Sequence, residues 1–361
     1  MRLYKFLNED ANTHSTHIEE LFITKGKAGL DAALSALGSI VQSIGAGNPP
    51  ISLKVDGAPA IVAGWLGGKF FVASKSLFNK TPKINFTVAD IDTNHPSGPN
   101  KQLKIALQYL GDVIPKGKIY QGDYLYDKST LKSTGNDIAF QPNTLIYTVD
   151  KSSDLGKQIL SSQMGIAFHT EYTATTDDPK SITLKGFGVK LNSTRSVFCL
   201  DVNVQNVSDT VSFSSAELTK YRTLIRKAQS INVPWDIISK YQKEILKNNN
   251  DLVRAGTYGK LSAMQMYSSI VDKENTFSEI SVSVYELLLT LLELKELVMN
   301  KLQDIGDLRT FVQKSDGALV VTSQEGYVVV SGPGNSAKLV NRLDFSRNNF
   351  SAEIVKGWAK S

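Results

Sequence analysis

Hydrophobic periodicity changes three times along the chain, and these changes restrict the fold more than any single motif does. Residues 15–44 carry apolar side chains near every 3.6 positions, which predicts a helix. Short β-rich runs follow from residue 51, and residues 214–309 return to helical spacing, clearest over 282–302. β-rich runs appear again at 318–322 and 326–331. This order predicts an α+β fold whose core is interrupted by a helical insertion.

The predicted elements divide the chain into four parts. Its 361 residues are enough for two units or for one core with an insertion. We predict an N-terminal helical arm over 1–46, the first part of the core over 47–213, a helical insertion over 214–312, and the second part of the core with a C-terminal tail over 313–361. Within the core we expect a helix at 101–110 and strands at 51–55, 60–65, 69–74, 118–126, 143–149, 165–173, 181–191 and 197–204.

Composition limits the classes of protein to which the chain can belong. Cys199 is the only cysteine, so the chain can form neither an internal disulfide nor a cysteine-rich zinc site. The formal charge of +5 permits contact with a polyanion without requiring it. The sequence has no apolar run of roughly 18 residues and no apolar N-terminal stretch, so we expect no membrane partner and a cytoplasmic location.

A lysine stands where the first predicted core strand ends on a tight turn, in the segment Lys54-Val55-Asp56-Gly57. Apolar neighbours can destabilise such an ammonium by desolvation, and the neutral amine could then attack an α-phosphate. A surface lysine beside an Asp-Gly turn is the alternative, because four residues are a short motif.

Further chemically useful residues follow on separate strands. Gly122 and Asp123 interrupt an aromatic-rich strand, and Glu325 with Gly326 opens a later one. Lys338 comes shortly after. A lysine nucleophile, two acids and a closing cation are the groups that adenylyl transfer needs, since carboxylates hold metal and ribose and cations neutralise phosphate charge.

In this order the motifs resemble those of the covalent nucleotidyltransferase superfamily, which contains ATP-dependent DNA and RNA ligases and mRNA capping enzymes. The first motif of that family is K-x-D-G, matched by 54–57; the third has Gly-Glu, matched by 122–123; the fourth is an acid-glycine pair before apolar residues, matched by 325–330. The resemblance implies a ligase-type core of antiparallel, ATP-grasp-like sheets that uses ATP and Mg²⁺. It implies Lys54 as the nucleophile that forms lysyl-AMP and Glu325 with Asp123 as metal ligands. It also implies a nucleotide pocket formed by Asp56, Gly57, Tyr120, Asp123, Tyr124, Phe168 and Lys338.

Several positions depart from the family pattern. The fifth motif, K-x-K, is replaced by Lys338-Leu-Val-Asn-Arg342, so only Lys338 transfers, and Asp123 stands where the family has a longer acid. The arginine that commonly follows K-x-D-G in DNA ligases is missing, and Lys75 and Lys80 are candidates to replace it. Little more than twenty residues follow Lys338, so we expect no C-terminal OB-fold; a phage or host protein could supply its role.

Three other segments, 1–9, 78–86 and 338–347, resemble an uncharacterised family of tailed-phage proteins, which suggests an infected bacterial cell as the setting. Two functions remain open. One is a polynucleotide ligase-like enzyme that passes AMP to a 5′-phosphorylated end of RNA or DNA. The other is a non-catalytic phage nucleic-acid-binding or assembly protein on the same scaffold. The sequence does not choose between ATP and GTP.

Two weaker signals complete the predictions. Strand alternation should place His169 and Glu171 on one face and Phe168 with Tyr172 on the other, and Phe168 or Glu171 could line the pocket, although a plain sheet position is the alternative. The basic helix 220–227 is most simply a solvated surface, but it is also the best candidate outside the core for contact with a nucleic-acid backbone.

Overall fold

Strands form three sheets within the residues that the computed structural model describes, which are 16–44, 51–200, 212–271, 277–302, 309–330, 336–350 and 354–355. The strands are β1 (Thr16–His17), β2 (Ile51–Leu53), β3 (Ala60–Leu66), β4 (Lys69–Ala73), β5 (Ile119–Asp127), β6 (Lys132–Thr134), β7 (Asp137–Phe140), β8 (Ile146–Asp150), β9 (Met164–Ala174), β10 (Ile182–Phe187), β11 (Val197–Cys199), β12 (Arg309–Gln313), β13 (Leu319–Val321), β14 (Tyr327–Val330) and β15 (Ser336–Leu339). The helices are α1 (Leu21–Ile44), α2 (Val88–Asn94), α3 (Asn100–Tyr109), α4 (Asp154–Ser161), α5 (Ser215–Ser230), α6 (Trp235–Lys240), α7 (Gln242–Arg254), α8 (Ala263–Val271), α9 (Val282–Leu302) and α10 (Arg342–Phe350).

The sheets are mostly antiparallel. Sheet A has the order β1-β15-β14-β2, and sheet B has the order β10-β9-β5-β3-β4 with β11 beside β9. Sheet C has the order β13-β12-β8-β7-β6. Only the β1–β15 and β11–β9 pairs are parallel among the pairings within the described residues. The predicted α+β class is therefore confirmed.

The predicted N-terminal arm and helical insertion share one apolar core. Helices α1 and α5 to α9, which we call the helical lobe, bury their apolar faces against one another and against one face of sheet A. Leu287 and Leu291 of α9 lie in this core together with Tyr327 and Leu339. Because the buried faces belong to the same core, the arm and the insertion are parts of a single unit and not separate appendages.

The strands that follow the helical lobe in the sequence belong to two different sheets. Residues 309–313 form β12, which pairs with β8 and β13 in sheet C, although the sequence predicts 309–312 as the end of the helical insertion. Strands β14 and β15 instead join β2 in sheet A. Residues 309–312 thus belong to a strand, and the last helix before β12 in the described part of the chain ends at Leu302. The predicted strand residues 201–204 and 331 and the helix break at 45–50 lie outside the described residues.

Sheet B has two differently covered faces. Helix α3 packs on one face, where Leu103 and Ala106 contact a core that includes Ile61. On the opposite face Leu125 packs into a core shared with Tyr147 of sheet C. Sheets B and C are thereby held together through apolar side chains. No helix in the described part of the chain has the length and apolar character needed to cross a membrane.

Candidate active site

The pairing of β2 with β14 brings the K-x-D-G segment to Glu325. Leu53 lies opposite Tyr327, so the residues just after β2 run past the residues just before β14. The Lys54 backbone N–H donates to the carbonyl oxygen of Gly326 at 2.8 Å, and the Asp56 N–H donates to Glu325 Oε2 at 2.7 Å. Two motifs separated by 269 positions thus meet through strand register.

The Lys54 ammonium lies between two carboxylates. It forms an ion pair with Asp56, and its Nζ is 3.5 Å from Glu325 Oε2. The ring centroid of Phe345, on α10, is 5.5 Å from the same Nζ. The side chain of Glu325 is 4% exposed, that of Lys54 is 12% exposed and that of Asp56 is 40% exposed. The group formed by Lys54, Asp56 and Glu325 is therefore shielded from solvent at Glu325 and accessible to solvent at Asp56.

The charges around Lys54 keep its ammonium form stable. Burial favours the neutral amine and is the largest single influence, but Asp56, Glu325 and Asp123 together outweigh it, so the pKa of Lys54 is raised. The expectation that desolvation would destabilise this ammonium is therefore wrong, because the neighbouring carboxylates outweigh the effect of burial. Any reaction of Lys54 as a nucleophile needs an acceptor for its proton.

The environment of Glu325, in contrast, favours the uncharged form of its side chain. Burial, followed by the charge of Asp56, raises its pKa to about 8, whereas Lys54 and the hydrogen bonds from Asp56 and Asn143 favour the carboxylate. Ionisation of both Asp56 and Glu325 is unfavourable, because the two carboxylates lie close together and share the single cation of Lys54.

Asn143 connects this group to sheet C. It lies in the loop between β7 and β8, and its side-chain amide donates to the Asp56 carbonyl oxygen at 2.6 Å and to Glu325 Oε1 at 2.6 Å. Its own side-chain oxygen accepts from the Leu145 N–H at 2.6 Å, which fixes the amide orientation. The sequence analysis did not identify Asn143, because an asparagine in a loop carries no pattern beyond that of a turn.

Gly57 allows the K-x-D-G segment to cross from sheet A to sheet B. A Cβ atom at this position would lie 2.2 Å from the Tyr124 carbonyl oxygen. The Tyr124 N–H donates to the Pro59 carbonyl oxygen at 3.1 Å, so the segment runs directly along β5. The glycine at 57, predicted to bind a cofactor, is thus needed for this close backbone approach.

Asp123, on β5, belongs to the same polar group. It pairs with Ala60 on one side and Ala167 on the other, and its negative charge contributes to the raised pKa of Lys54. His169 Nε2 lies 3.8 Å from Asp123 Oδ1.

An irregularity in β9 places His169 there. Gln121 pairs with Thr170 and Gly122 with Phe168, so His169 is an extra residue in a bulge. As a result, Phe168 lies in the core beside α3, whereas Tyr172 lies in a core on the other face of sheet B. The predicted alternation, with Phe168 and Tyr172 on one face, is therefore wrong.

Two more lysines contribute charge to the site. Lys338 of β15 pairs with Val328, which pairs with Ser52 of β2, so it lies across sheet A from the K-x-D-G segment. Burial, and next the positive charge of Lys54, lowers the pKa of Lys338, and Lys75 lowers it further. The predicted basic residue at 338 is thus within electrostatic range of Lys54 and Asp56, and the candidate at 75 is within electrostatic range of Lys338.

Arg342, which follows Lys338 in the sequence, has a different environment. Its guanidinium pairs with Glu20 at 2.6 Å, and its centre lies 4.7 Å from the ring centroid of Tyr258. Both partners belong to the N-terminal segment and the helical lobe. Arg342 therefore connects α10 to that lobe and does not extend the cation group at Lys338.

The aromatic residues predicted near a nucleobase are buried elsewhere. Tyr120, Tyr124 and Phe168 lie in the core beside α3, where the rings of Tyr120 and Phe168 are 6.0 Å apart. The Tyr124 hydroxyl donates to Asp127 Oδ2 at 3.3 Å. A nucleobase could stack on these rings only if that core opened, so the structure does not bring them together with Lys54.

One hydroxyl group near the site has no hydrogen-bond partner. Tyr147 of β8 is buried, its oxygen contacts no donor or acceptor in the described structure, and its ring stacks on Phe140. Burial, followed by the charges of Glu325, Asp56 and Asp123, raises its pKa well above the ordinary value. Tyr147 therefore remains a neutral donor facing a negatively charged region.

The described residues contain no group of three or more histidine, cysteine, aspartate or glutamate side chains spaced to hold a metal. Asp56 and Asp123 both influence Lys54 and are more exposed than Glu325, and Mg²⁺ commonly binds through one or two carboxylates together with water and substrate phosphates. Glu325 is the least exposed of the acids, and both of its oxygens already accept hydrogen bonds.

Comparison with known proteins places the chain in a family. The model of a family of unknown function (DUF6267) matches residues 12–281 and 238–354. The chain therefore belongs to this family, whose description assigns no activity. No curated protein and no solved structure matches the chain significantly.

Proposed function

We propose that this member of the DUF6267 family is a ligase-like nucleotidyltransferase in which Lys54 forms a covalent bond with AMP from ATP. The adenylyl group would then pass to a 5′-phosphorylated end of RNA or DNA. One observation carries the proposal: residues in or beside sheets A and B converge on Lys54, with Asp56 and Glu325 in contact and Asp123 and Lys338 in electrostatic range. In this reading, sheets A and B form the ligase-type core.

The first chemical step begins with the transfer of a proton. Lys54 attacks only as a neutral amine, and the carboxylate form of Glu325, with Oε2 3.5 Å away, is the acceptor for its proton; because the pKa of Glu325 is raised to about 8, this carboxylate form, and with it the rate of the step, would increase as pH rises through that value. The bond between Nζ and the α-phosphorus then forms, while the bond from this phosphorus to the bridging oxygen breaks. Pyrophosphate leaves with that electron pair and takes up the second proton, which the nitrogen loses as the phosphoramidate forms.

The second step restores the lysine. An oxygen of the terminal 5′-phosphate attacks the same phosphorus, the bond to Nζ breaks, and the nitrogen takes back the proton from Glu325. Lys338 would balance the phosphate charge in both steps, since it lies within electrostatic range of Lys54 and Asp56, and Lys75, which acts on Lys338, would add to this positive charge.

The exposed side of the group is where a nucleotide would enter. Asp56 and Asp123 would hold Mg²⁺ there, and the ion would reduce the repulsion between the triphosphate and the carboxylates. This assignment gives Glu325 the proton-accepting role in place of the metal-binding role that the family resemblance implies.

Incubation with α-labelled ATP or GTP and Mg²⁺ tests the proposal. We expect label that remains on the protein in denaturing electrophoresis and is lost in mild acid, as a phosphorus–nitrogen bond is. Lys54→Met should abolish the label, and Lys243→Met, which changes an exposed lysine of α7, should not. Equal labelling of the Lys54→Met protein would exclude Lys54 as the nucleophile.

A second candidate function is nucleotide or nucleic-acid binding without turnover on the same scaffold. The ion pair of Lys54 with Asp56 and the raised pKa of Lys54 favour it, because a lysine that stays an ammonium is not a nucleophile. Its role would then be structural, holding sheets A and B together. In that case ATP or a polynucleotide would raise the unfolding temperature of the protein, while no nucleotide would leave label on Lys54.

A further inference from the structure

Helix α5 lies beside two open grooves on the helical lobe. The first, about 530 Å³ in volume, lies between α5 and α1, and Arg222, Arg226 and Gln229 line it from α5. Asp31 and Ser35 line it from α1. The second groove, about 630 Å³, runs along another side of α5 toward Glu293 of α9.

The first groove contains two arginines that have no ionic partner among the described residues. Arg222 and Arg226 are exposed, and neither forms an ion pair with any residue in the described part of the chain. In contrast, Lys220 of the same helix pairs with Glu293 at 2.8 Å. Lys301 of α9 pairs with Glu217 at 3.0 Å.

The fold does not need this arginine pair. Helix α5 is held by Leu224 and Ala228, which are buried in the core of the helical lobe, and by the capping box at its N-terminus. Like charges four residues apart on a helix repel each other, so Arg222 and Arg226 oppose helix formation slightly. Their placement in a groove is better explained by a ligand than by stability.

The chemistry of the groove fits a phosphate backbone. The two arginines are one helical turn apart, about 6 Å along the axis, and guanidinium groups bind phosphate oxygens through paired N–H donors. Tyr221 and Ile225 supply a half-buried apolar floor of the kind on which sugars and bases rest. Asp31 is the one acid in the lining, so the charged side chains of the groove are net positive.

We propose that the groove between α1 and α5 binds the phosphate backbone of a nucleic acid through Arg222 and Arg226. The inference rests on the proposed function for the role of that nucleic acid, which would be the polynucleotide whose 5′-phosphorylated end receives AMP. Formation of lysyl-AMP needs no polynucleotide, so the groove and the covalent site can be tested separately.

The test measures the affinity of the full chain for labelled single-stranded DNA, single-stranded RNA and duplex DNA over a range of salt concentrations. Arg222→Ala/Arg226→Ala should weaken binding of the preferred strand about tenfold or more and reduce the salt dependence by roughly 0.7 to 0.9 per lost phosphate contact. The matched control is Lys240→Ala/Arg254→Ala, which removes the same charge from cations already paired with Glu279 and Asp251. It should change binding much less.

Each outcome supports or overturns the proposal that Arg222 and Arg226 bind a nucleic acid. Unchanged affinity in the arginine variant, an equal loss in the control, or no binding of any strand by the wild-type protein would overturn the groove proposal. If the arginine variant loses binding but Lys54 is never labelled, the groove stands and the nucleotidyltransferase proposal fails. If Lys54 is labelled normally and the variant binds as wild type, the reverse holds.

Discussion

At the scale of single residues, the balance of charge around Lys54 governs the behaviour of the site. Asp56 and Glu325 both contact one ammonium, and Asn143 holds the backbone of Asp56 and the carboxylate of Glu325 in place. Glu325 is the least exposed of these acids, and burial together with the charge of Asp56 raises its pKa to about 8. Its protonation is therefore the part of the site most sensitive to pH near neutrality.

Replacement of Glu325 by glutamine tests this balance. Its pKa is raised to about 8, so between the ordinary glutamate pKa and that value the folded protein holds a proton that the unfolded chain releases. The stabilisation is therefore complete at low pH and is lost as pH rises through about 8. Glu325→Gln should flatten the decline of the unfolding temperature over this range, while Glu296→Gln, at an exposed position, should leave it unchanged. An unfolding temperature that declines equally steeply in Glu325→Gln would contradict the raised pKa of Glu325.

Replacement of Asn143 by alanine tests the link between sheet C and the site. The change leaves the Asp56 carbonyl oxygen and Glu325 Oε1 without a donor, so the free energy of unfolding should fall by about 1–3 kcal/mol. Labelling of Lys54 should become slower. Asn136→Ala, in an exposed turn, should stay within about 0.5 kcal/mol of wild type in urea unfolding. If Asn143→Ala behaved like Asn136→Ala, Asn143 would not position these groups.

At the scale of elements, the registers of β2, β14 and β15 determine which side chains meet. Gly326 has φ of 137° and a Cβ there would lie 2.2 Å from the Leu339 carbonyl oxygen, so only glycine permits β14 to begin beside β15 at this point. Since Glu325 precedes Gly326 directly, the position of the acid depends on this local geometry. The start of β14 and the position of the Glu325 carboxyl group therefore both depend on the backbone at Gly326.

Gly326→Ala should therefore disturb both stability and the site. Backbone strain of this kind costs about 1–3 kcal/mol, and the contact with Leu339 adds to it. We expect a lower unfolding temperature and slower labelling of Lys54. Gly186→Ala is the control, because its new Cβ would meet no atom within 4 Å. A Gly326→Ala protein as stable and as active as wild type would show that the register does not depend on this residue.

Local periodicity explains which elements the sequence could predict. Helix α9 was expected at 282–302 and forms over those residues, and the strand expected at 60–65 forms over 60–66, because both patterns depend on neighbouring side chains. Residues 309–312 are predicted as the end of the helical insertion but belong to β12, whose pairing with β8 joins positions far apart in the chain. His169 was misplaced because a bulge depends on two strands together.

At the scale of the whole molecule, buried charges join the N-terminal segment to distant parts of the chain. Lys295 of α9 pairs with Glu19 at 2.8 Å and donates to the Val340 carbonyl oxygen at 3.0 Å, and Arg342 pairs with Glu20 at 2.6 Å. These contacts connect the helical lobe to the segment that follows Lys338. The lobe therefore supports sheet A, from which Lys54, Glu325 and Lys338 project.

Lys295→Met should expose the dependence of the fold on this network. It leaves Glu19 buried without a cation, which costs about 3–5 kcal/mol, and adding Glu19→Gln should recover part of the loss. Lys240→Met, which breaks the exposed pair with Glu279, should cost about 1 kcal/mol or less. Urea unfolding measures both. A Lys295→Met protein within about 1 kcal/mol of wild type would contradict the proposed coupling.

The sequence identified the acids and lysines of the candidate site but not the framework that gathers them. Motif order alone selected Lys54, Glu325 and Lys338, which the structure brings to one sheet. It did not reveal Asn143, whose contacts come from another sheet, and it assigned Tyr120 to the site although that ring is buried beside α3. Strand side chains near a motif can face either way, and only tertiary pairing decides which.

The most direct test of the central claim is the intact mass of the protein after incubation with ATP and Mg²⁺, followed by fragmentation to locate any added group. We predict an increase by one adenylyl group, located on Lys54 and absent from Lys54→Met. An unchanged mass with ATP and with GTP, or an adenylyl group on a different residue, would contradict the claim that Lys54 is the nucleophile.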